Sequence, residues 1–320
     1  MRYIISSAFA TLAATLPALA EAPRVVTDIH PVHSLVAQVM GDLGKPELLL
    51  ERGASEHDFQ LRPSQAAGLV EADLIVWIGP ELTPWLGRAL DGLGEDAAKL
   101  GLLTVPGTTT QEFSEDGAHT GHDHDHDHDH DHEETAKAAD EHDHSHDGLD
   151  PHAWLDPANA QVWLTAIAAE LGRIDPANAA TYTANAKAAT KEIAALDSEL
   201  ATTLAPLKGK PIVVYHDAYG YLAAHYGLDI FGSIALGDAT APGAARLAEL
   251  RDGVAAGTPV CLFPEAQYDT ALVEQIAEGT GARIGGALDP NGSMQDPGPG
   301  AYAALLRSLA QTMVDCVQTS

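Results

Sequence analysis

The chain has 320 residues, 45% of them hydrophobic, enough for two ordinary domains or one large one. Its 46 acidic residues outnumber 17 basic ones, for a formal net charge of -29. That balance excludes a nucleic-acid partner, which needs clustered Lys and Arg against phosphate, and makes metal cations the natural guests.

In chain order, residues 1–20 read as a secretory signal: Met1-Arg2-Tyr3 is a short basic start, Ile4 to Leu16 is largely apolar, and Ala18-Leu19-Ala20 is a small-x-small cleavage site. The mature chain is expected to start near Glu21, outside the cytoplasm. No later segment approaches ~20 uninterrupted apolar residues, so no transmembrane helix is expected after cleavage.

Strand-like and helix-like segments then alternate. Arg24 to Ile29, Glu47 to Leu50, Asp73 to Ile78 and Leu102 to Val105 are expected strands; Val32 to Met40 and Pro63 to Glu71 are expected helices. Such alternation predicts an α/β layer structure with parallel strands in a first lobe over 21–174. Residues 114–150 interrupt it with 14 acids, one Lys and 10 of the 16 histidines, and are expected to form a disordered surface loop.

Asp175-Pro176-Ala177-Asn178 opens an Ala-rich stretch with no internal Gly or Pro until Pro206. With Asp as cap and Pro at the first helical position, a single linking helix is expected over 175–206, a strut of ~45 Å. The alternation resumes in a second lobe over 207–320, with strands at Pro211 to Tyr215, Thr258 to Phe263 and near Ala282 to Gly285, and helices at Asp217 to His225, Gly243 to Ala255 and Tyr302 to Cys316. Two similar lobes are implied. Cys261 and Cys316 are the only cysteines, and in an oxidising compartment an even, sparse count suggests a disulfide; the alternative is two buried thiols.

Six histidines lie outside the acidic insertion. His30, His33 and His225 fall within or beside helices and read as structural. His57, His152 and His216 each sit in a loop next to a helix start, and Asp289 occupies a fourth loop, Ala287-Leu288-Asp289-Pro290, after the expected strand near Ala282 to Gly285. Open α/β sheets bind ligands beyond the carboxyl ends of their strands, so these four loops can share one rim between the lobes. Three imidazoles and a carboxylate make a tetrahedral Zn²⁺ shell, with donors at ~2.0 to 2.2 Å. Glu56, beside His57, could be a ligand, a group that orients imidazole, or a solvent-facing side chain.

The blocks GASEHDFQLRPSQ, EADLIVWIGPELTPWL, DPHAWLDP, VVYHDAYGYLAAHYGL, CLFPEAQYD and ALDPNG, with the acidic His-rich insertion, occur in that order over essentially the whole mature chain. Together they resemble the zinc-specific periplasmic solute-binding proteins of ABC transporters, the ZnuA type, in the metal-receptor cluster that also contains manganese-binding, adhesin-like lipoproteins. The resemblance implies two α/β lobes joined by a rigid helix, with Zn²⁺ held in the cleft and passed to a membrane permease by a periplasmic monomer that is not an enzyme. It assigns His57, His152 and His216 as ligands and pairs Cys261 with Cys316. Asp289 is the preferred fourth ligand, because neighbours such as Glu56 and His57 seldom both point well at one small ion; Glu56 or water is the competitor. Manganese-binding relatives place a carboxylate where this chain has His216, which favours zinc over manganese.

Within the insertion, GHDHDHDHDHDH places His122, His124, His126, His128, His130 and His132 at alternate positions. An extended chain puts these imidazoles on one face, so the segment can assemble weak auxiliary zinc sites while its aspartates draw cations. Two rival readings remain: a secreted zinc buffer in which this loop is the whole function, and a zinc hydrolase with Glu56 as base. The hydrolase lacks an HExxH or nucleophile motif.

Overall fold

A computed structural model describes residues 22–57, 59–114, 118, 148–236, 242–257 and 260–318. The signal segment and the six loop histidines His122 to His132 lie outside the described residues. In chain order the elements are β1 (Val25–Thr27), α1 (His30–Met40), β2 (Glu47–Leu48), α2 (Pro63–Glu71), β3 (Leu74–Trp77), α3 (Pro84–Leu90), β4 (Ala98–Gly101), α4 (Pro157–Ile174), α5 (Ala179–Leu204), β5 (Ile212–His216), α6 (Gly220–Tyr226), β6 (Ile230–Ala235), α7 (Ala244–Ala255), β7 (Cys261–Leu262), α8 (Ala271–Ala277), β8 (Arg283–Ile284) and α9 (Ala301–Gln318).

The strands form two parallel four-stranded sheets of matching order, β2-β1-β3-β4 and β6-β5-β7-β8. Both sheets are the two-lobed α/β architecture expected. Successive strand residues point to opposite faces, and burial sorts them accordingly. Val25, Leu74, Val76, Ile212 and Val214 face one shared core. Val26, Ile75 and Trp77 face a separate layer under α2 and α3. Val213 and Leu262 face a third layer under α7 and α8. The shared core runs without a break from the first sheet through α1, α4, α5 and α9 to the second. Two lobes joined through a packed interior cannot swing freely, because opening them exposes that apolar surface.

The strut differs from expectation at its start. Asp175 ends α4, and its carboxylate accepts hydrogen bonds from Asn178 (2.7 Å) and the Tyr182 hydroxyl (2.9 Å). Asp175-Pro176-Ala177 is thus the turn between two packed helices, and α5 begins at Ala179. Its 26 residues span ~39 Å. The buried positions Tyr182, Ala186, Ala189, Ile193, Leu196, Leu200 and Leu204 recur every three or four residues, a continuous apolar stripe. Arg307 of α9 grips Glu199 of α5 with two bonds, 2.8 and 2.7 Å.

A second correction concerns Leu102 to Val105. The strand is Ala98–Gly101, and Leu102–Thr104 form a 3-10 turn that drops Leu102 and Leu103 into the core. An apolar run reads alike in either role when burial rather than pairing sets its composition.

Residues 148–150 also depart from the expected disordered loop. Glu112 and Leu149 form an antiparallel bridge, Phe113 N–H donates to Gly148 (3.0 Å) and Asp150 N–H to Gln111 (2.9 Å). The flanks of the acidic insertion are therefore side by side. The cysteines are joined, with Cα atoms 6.3 Å apart, tying β7 to α9. Among the described residues no helix is long and apolar enough to cross a membrane.

His225 of α6 lies between Asp156 at the start of α4 (2.9 Å) and Asp197 of α5 (2.9 Å). Bonding to Asp156, then to Asp197, outweighs burial and lifts its imidazole to about 9. Because the folded value exceeds the ordinary ~6.5, this stabilisation is full below about pH 6.5 and lost as pH rises through about 9. With a quarter of the side chain exposed, His225→Gln is expected to cost about 1–2 kcal/mol at pH 6. Chemical denaturation of both proteins across pH checks it: a difference that persists undiminished at pH 10 contradicts the charged pairing.

Candidate metal centre

Three chain segments deliver the histidines. His57 comes from the loop after β2, His152 immediately precedes the 3-10 turn Ala153–Leu155 at the entrance to α4, and His216 is the last residue of β5. All lie at the carboxyl-end rim between the sheets. One ring nitrogen from each falls within 4.8 Å of the others. Nε2 of His152 and Nε2 of His216 are 3.3 Å apart, and His152 and His216 are buried.

Two carboxylates orient these rings. Nδ1–H of His152 donates to Asp150 Oδ1 at 2.8 Å, and Asp150 is held in turn by the His152 backbone N–H (2.9 Å) and by Gln111 (3.0 Å). Nδ1–H of His216 donates to Glu265 Oε2 at 2.7 Å, while the Tyr219 hydroxyl donates to Glu265 Oε1 at 2.9 Å. An ionised carboxylate only accepts, so both Nδ1 atoms carry the proton, and in the neutral rings Nε2 is the lone-pair nitrogen. Burial, then Glu265, drives the Tyr219 hydroxyl well above its ordinary value and keeps it a donor.

Sequence reasoning singled out neither Asp150 nor Glu265. The spacing of Asp150 to His152 was a local signal that could have found the first. Glu265 had none, since 49 residues separate it from His216.

The two carboxylates considered for the fourth position are placed differently. Glu56 is buried, with Oε1 3.7 Å from His57 Nε2. Burial acts to raise its carboxyl, but favourable electrostatics with His57, a backbone bond, and then with His216 and His152 outweigh this and lower it. These adjacent side chains face each other. The Asp289 carboxylate accepts from Ser293 N–H (3.1 Å) and Met294 N–H (2.9 Å) of its own loop and from Gln267 Nε2 (2.7 Å) of the loop after β7. The three-histidine group within 4.8 Å includes neither Asp289 nor Glu56. His30 and His33 are buried in α1, and burial lowers both, His30 to about 4; neither joins the group.

The loops around this site meet across the cleft. Trp154 Nε1–H donates to Pro290 carbonyl at 2.8 Å, and Gly53 N–H to Ser293 carbonyl at 3.1 Å. Gly53 sits at φ +72, which a side-chain-bearing residue rarely adopts.

Residues 25–316 match the family described as ZnuA, zinc-uptake complex component A, periplasmic. The chain is 52% identical over 319 residues to the high-affinity zinc uptake system protein ZnuA of Paracoccus denitrificans, covering 98% of this chain and 97% of that one. It is 41% identical over 309 residues to the protein of that name from Brucella abortus, covering 93% and 92%. A crystal structure of ZnuA superposes with a TM-score of 0.74 at 26% identity, covering 93% of this chain and all of that one. With a three-histidine centre between two parallel-sheet lobes and relatives matched along nearly its full length, this chain belongs to the ZnuA family of periplasmic zinc-uptake receptors.

Proposed function

We propose that this protein captures Zn²⁺ in the periplasm and delivers it to the permease of an ABC transporter, with His57, His152, His216 and Glu56 as the four ligands. The observation that carries the reading is the 3.3 Å approach of the two Nε2 atoms, both presenting lone pairs. Two such lone pairs repel unless a proton or a metal cation stands between them. Zn–N bonds of ~2.0 to 2.1 Å at a tetrahedral angle set nitrogens about 3.3 Å apart. Glu56 completes the set with one negative charge, and three imidazoles suit zinc better than manganese, which takes more oxygen.

The hydrolase reading is weaker, because taking Glu56 as a ligand removes the only candidate base. Proton competition tests the imidazole set. Zinc affinity, measured against a chelator of known strength, is expected to fall about tenfold or more per pH unit below ~6.5. Equal affinity at pH 7.5 and pH 5 sinks the three-histidine assignment. The auxiliary role for the loop histidines His122 to His132 is the second part of this proposal; it predicts slower zinc loading from a chelator when that loop is removed.

A further inference from the structure

Glu56 belongs to the first lobe, yet its second oxygen is held from the other lobe: Asn291 Nδ2–H donates to Glu56 Oε2. The direction of the Asn291 amide is determined by its surroundings. Its Oδ1 accepts from Ser293 N–H (2.8 Å) and from Gln267 Nε2 (3.1 Å), so only the NH₂ end is left to face the carboxylate. Gln267 Nε2 directs its two hydrogens at the Asp289 carboxylate (2.7 Å) and Ser293 Oγ (2.7 Å), and its longer 3.1 Å contact with Asn291 shares one of them. Asn291 and Glu56 are both buried, 1% and 3% exposed, so water does not substitute for either partner. A line of bonds thus runs from Asp289 through Gln267 and Asn291 to Glu56, whose other oxygen faces His57.

A carboxylate can bind a cation through one oxygen or two. Two-oxygen binding raises the coordination number and suits larger, oxygen-loving ions; one-oxygen binding keeps a tetrahedral shell that suits zinc. We propose that Asn291 is a positioning residue that occupies Glu56 Oε2, confines Glu56 to one-oxygen ligation and so selects a four-coordinate cation, Zn²⁺ over Mn²⁺. This rests on the reading of Glu56 as fourth ligand. Asp289 then acts on the metal at a distance, through the loop it organises.

The cleanest variant is Asn291→Asp, which is nearly isosteric and keeps the acceptor for Ser293 and Gln267 but removes the donor to Glu56. Asn291→Leu, which adds no charge but removes the acceptor for Ser293 and Gln267 as well as the donor to Glu56, is the second. In the metal-free full-length protein, zinc and manganese affinities are measured by chelator competition. The absorption of Co²⁺ added at half an equivalent reports coordination number at the tightest site. Zinc binding is expected to weaken about 10- to 100-fold, manganese binding not to weaken, and the Co²⁺ bands to lose intensity as the shell expands. Unchanged bands, or equal weakening of both metals, overturns the inference. Glu56→Gln separates the two levels. If it changes neither zinc affinity nor the Co²⁺ bands, Glu56 is not a ligand. If it changes both while the Asn291 variants change neither, the role of Asn291 alone is wrong.

Discussion

Replacing His216 by alanine is expected to weaken the tight zinc site by about two to three orders of magnitude, since one ligand of four carries roughly a quarter of the ~10–16 kcal/mol typical of such sites. The loss has two parts. The cation loses an imidazole, and Glu265, buried with its Oε2 bonded to His216 (2.7 Å), loses that donor while its Oε1 keeps the Tyr219 hydroxyl. The variant is therefore also expected to be less stable without metal, by about 1–3 kcal/mol. The measurement is competitive zinc titration of protein lacking residues 115–147, which removes the six loop histidines at 122–132. The excision must stop there. The pairing of Glu112 with Leu149 leaves two adjacent ends to join, and Asp150 holds His152. Disappearance of one tight site makes the cleft the receptor site. Undiminished tight binding after the substitution removes His216 from the ligand set.

Replacing Cys261 and Cys316 together by serine is expected to destabilise the protein by about 4 kcal/mol, the loop-closure value for a separation of 55 residues. For a chain of this size that corresponds to a fall in Tm on the order of 10 °C. The effect should be larger than for most single substitutions because the bond fastens the two-residue strand β7, which contributes few sheet hydrogen bonds of its own, to the 18-residue α9. Differential scanning calorimetry of the metal-free proteins checks it. A change within 1–2 °C means that packing of α9 against the shared core holds β7 without the covalent link.

Elements with a strong local signal were legible. Pro63 opens α2 as anticipated, and the long Ala-rich segment is helical because its apolar residues recur at helical spacing. The helices α3 and α8, seven residues each, are too short to show a period, and Gly232 interrupts the apolar run of β6. The linking helix was placed four residues early because Asp-Pro reads as a helix start. Its carboxylate instead closes a turn between two helices.

At the site, the sequence alone determined which histidines could act together, since loops that follow parallel strands or precede helices emerge on a common rim whatever the packing details. It preferred Asp289 to Glu56 only because adjacent residues such as Glu56 and His57 seldom converge on one ion; both are loop carboxylates next to plausible partners in the chain. Folding gives the two carboxylates different partners: Asp289 is taken up by Gln267, Ser293 and Met294, while Glu56 is held facing His57 by Asn291, 235 residues away. The same holds for Glu265 and the proton on His216. Backbone periodicity is encoded locally and can be read along the chain. A proton or a carboxylate oxygen is oriented by whichever group folding brings within about 3 Å, and that distance exists only once the two sheets and their shared core have assembled.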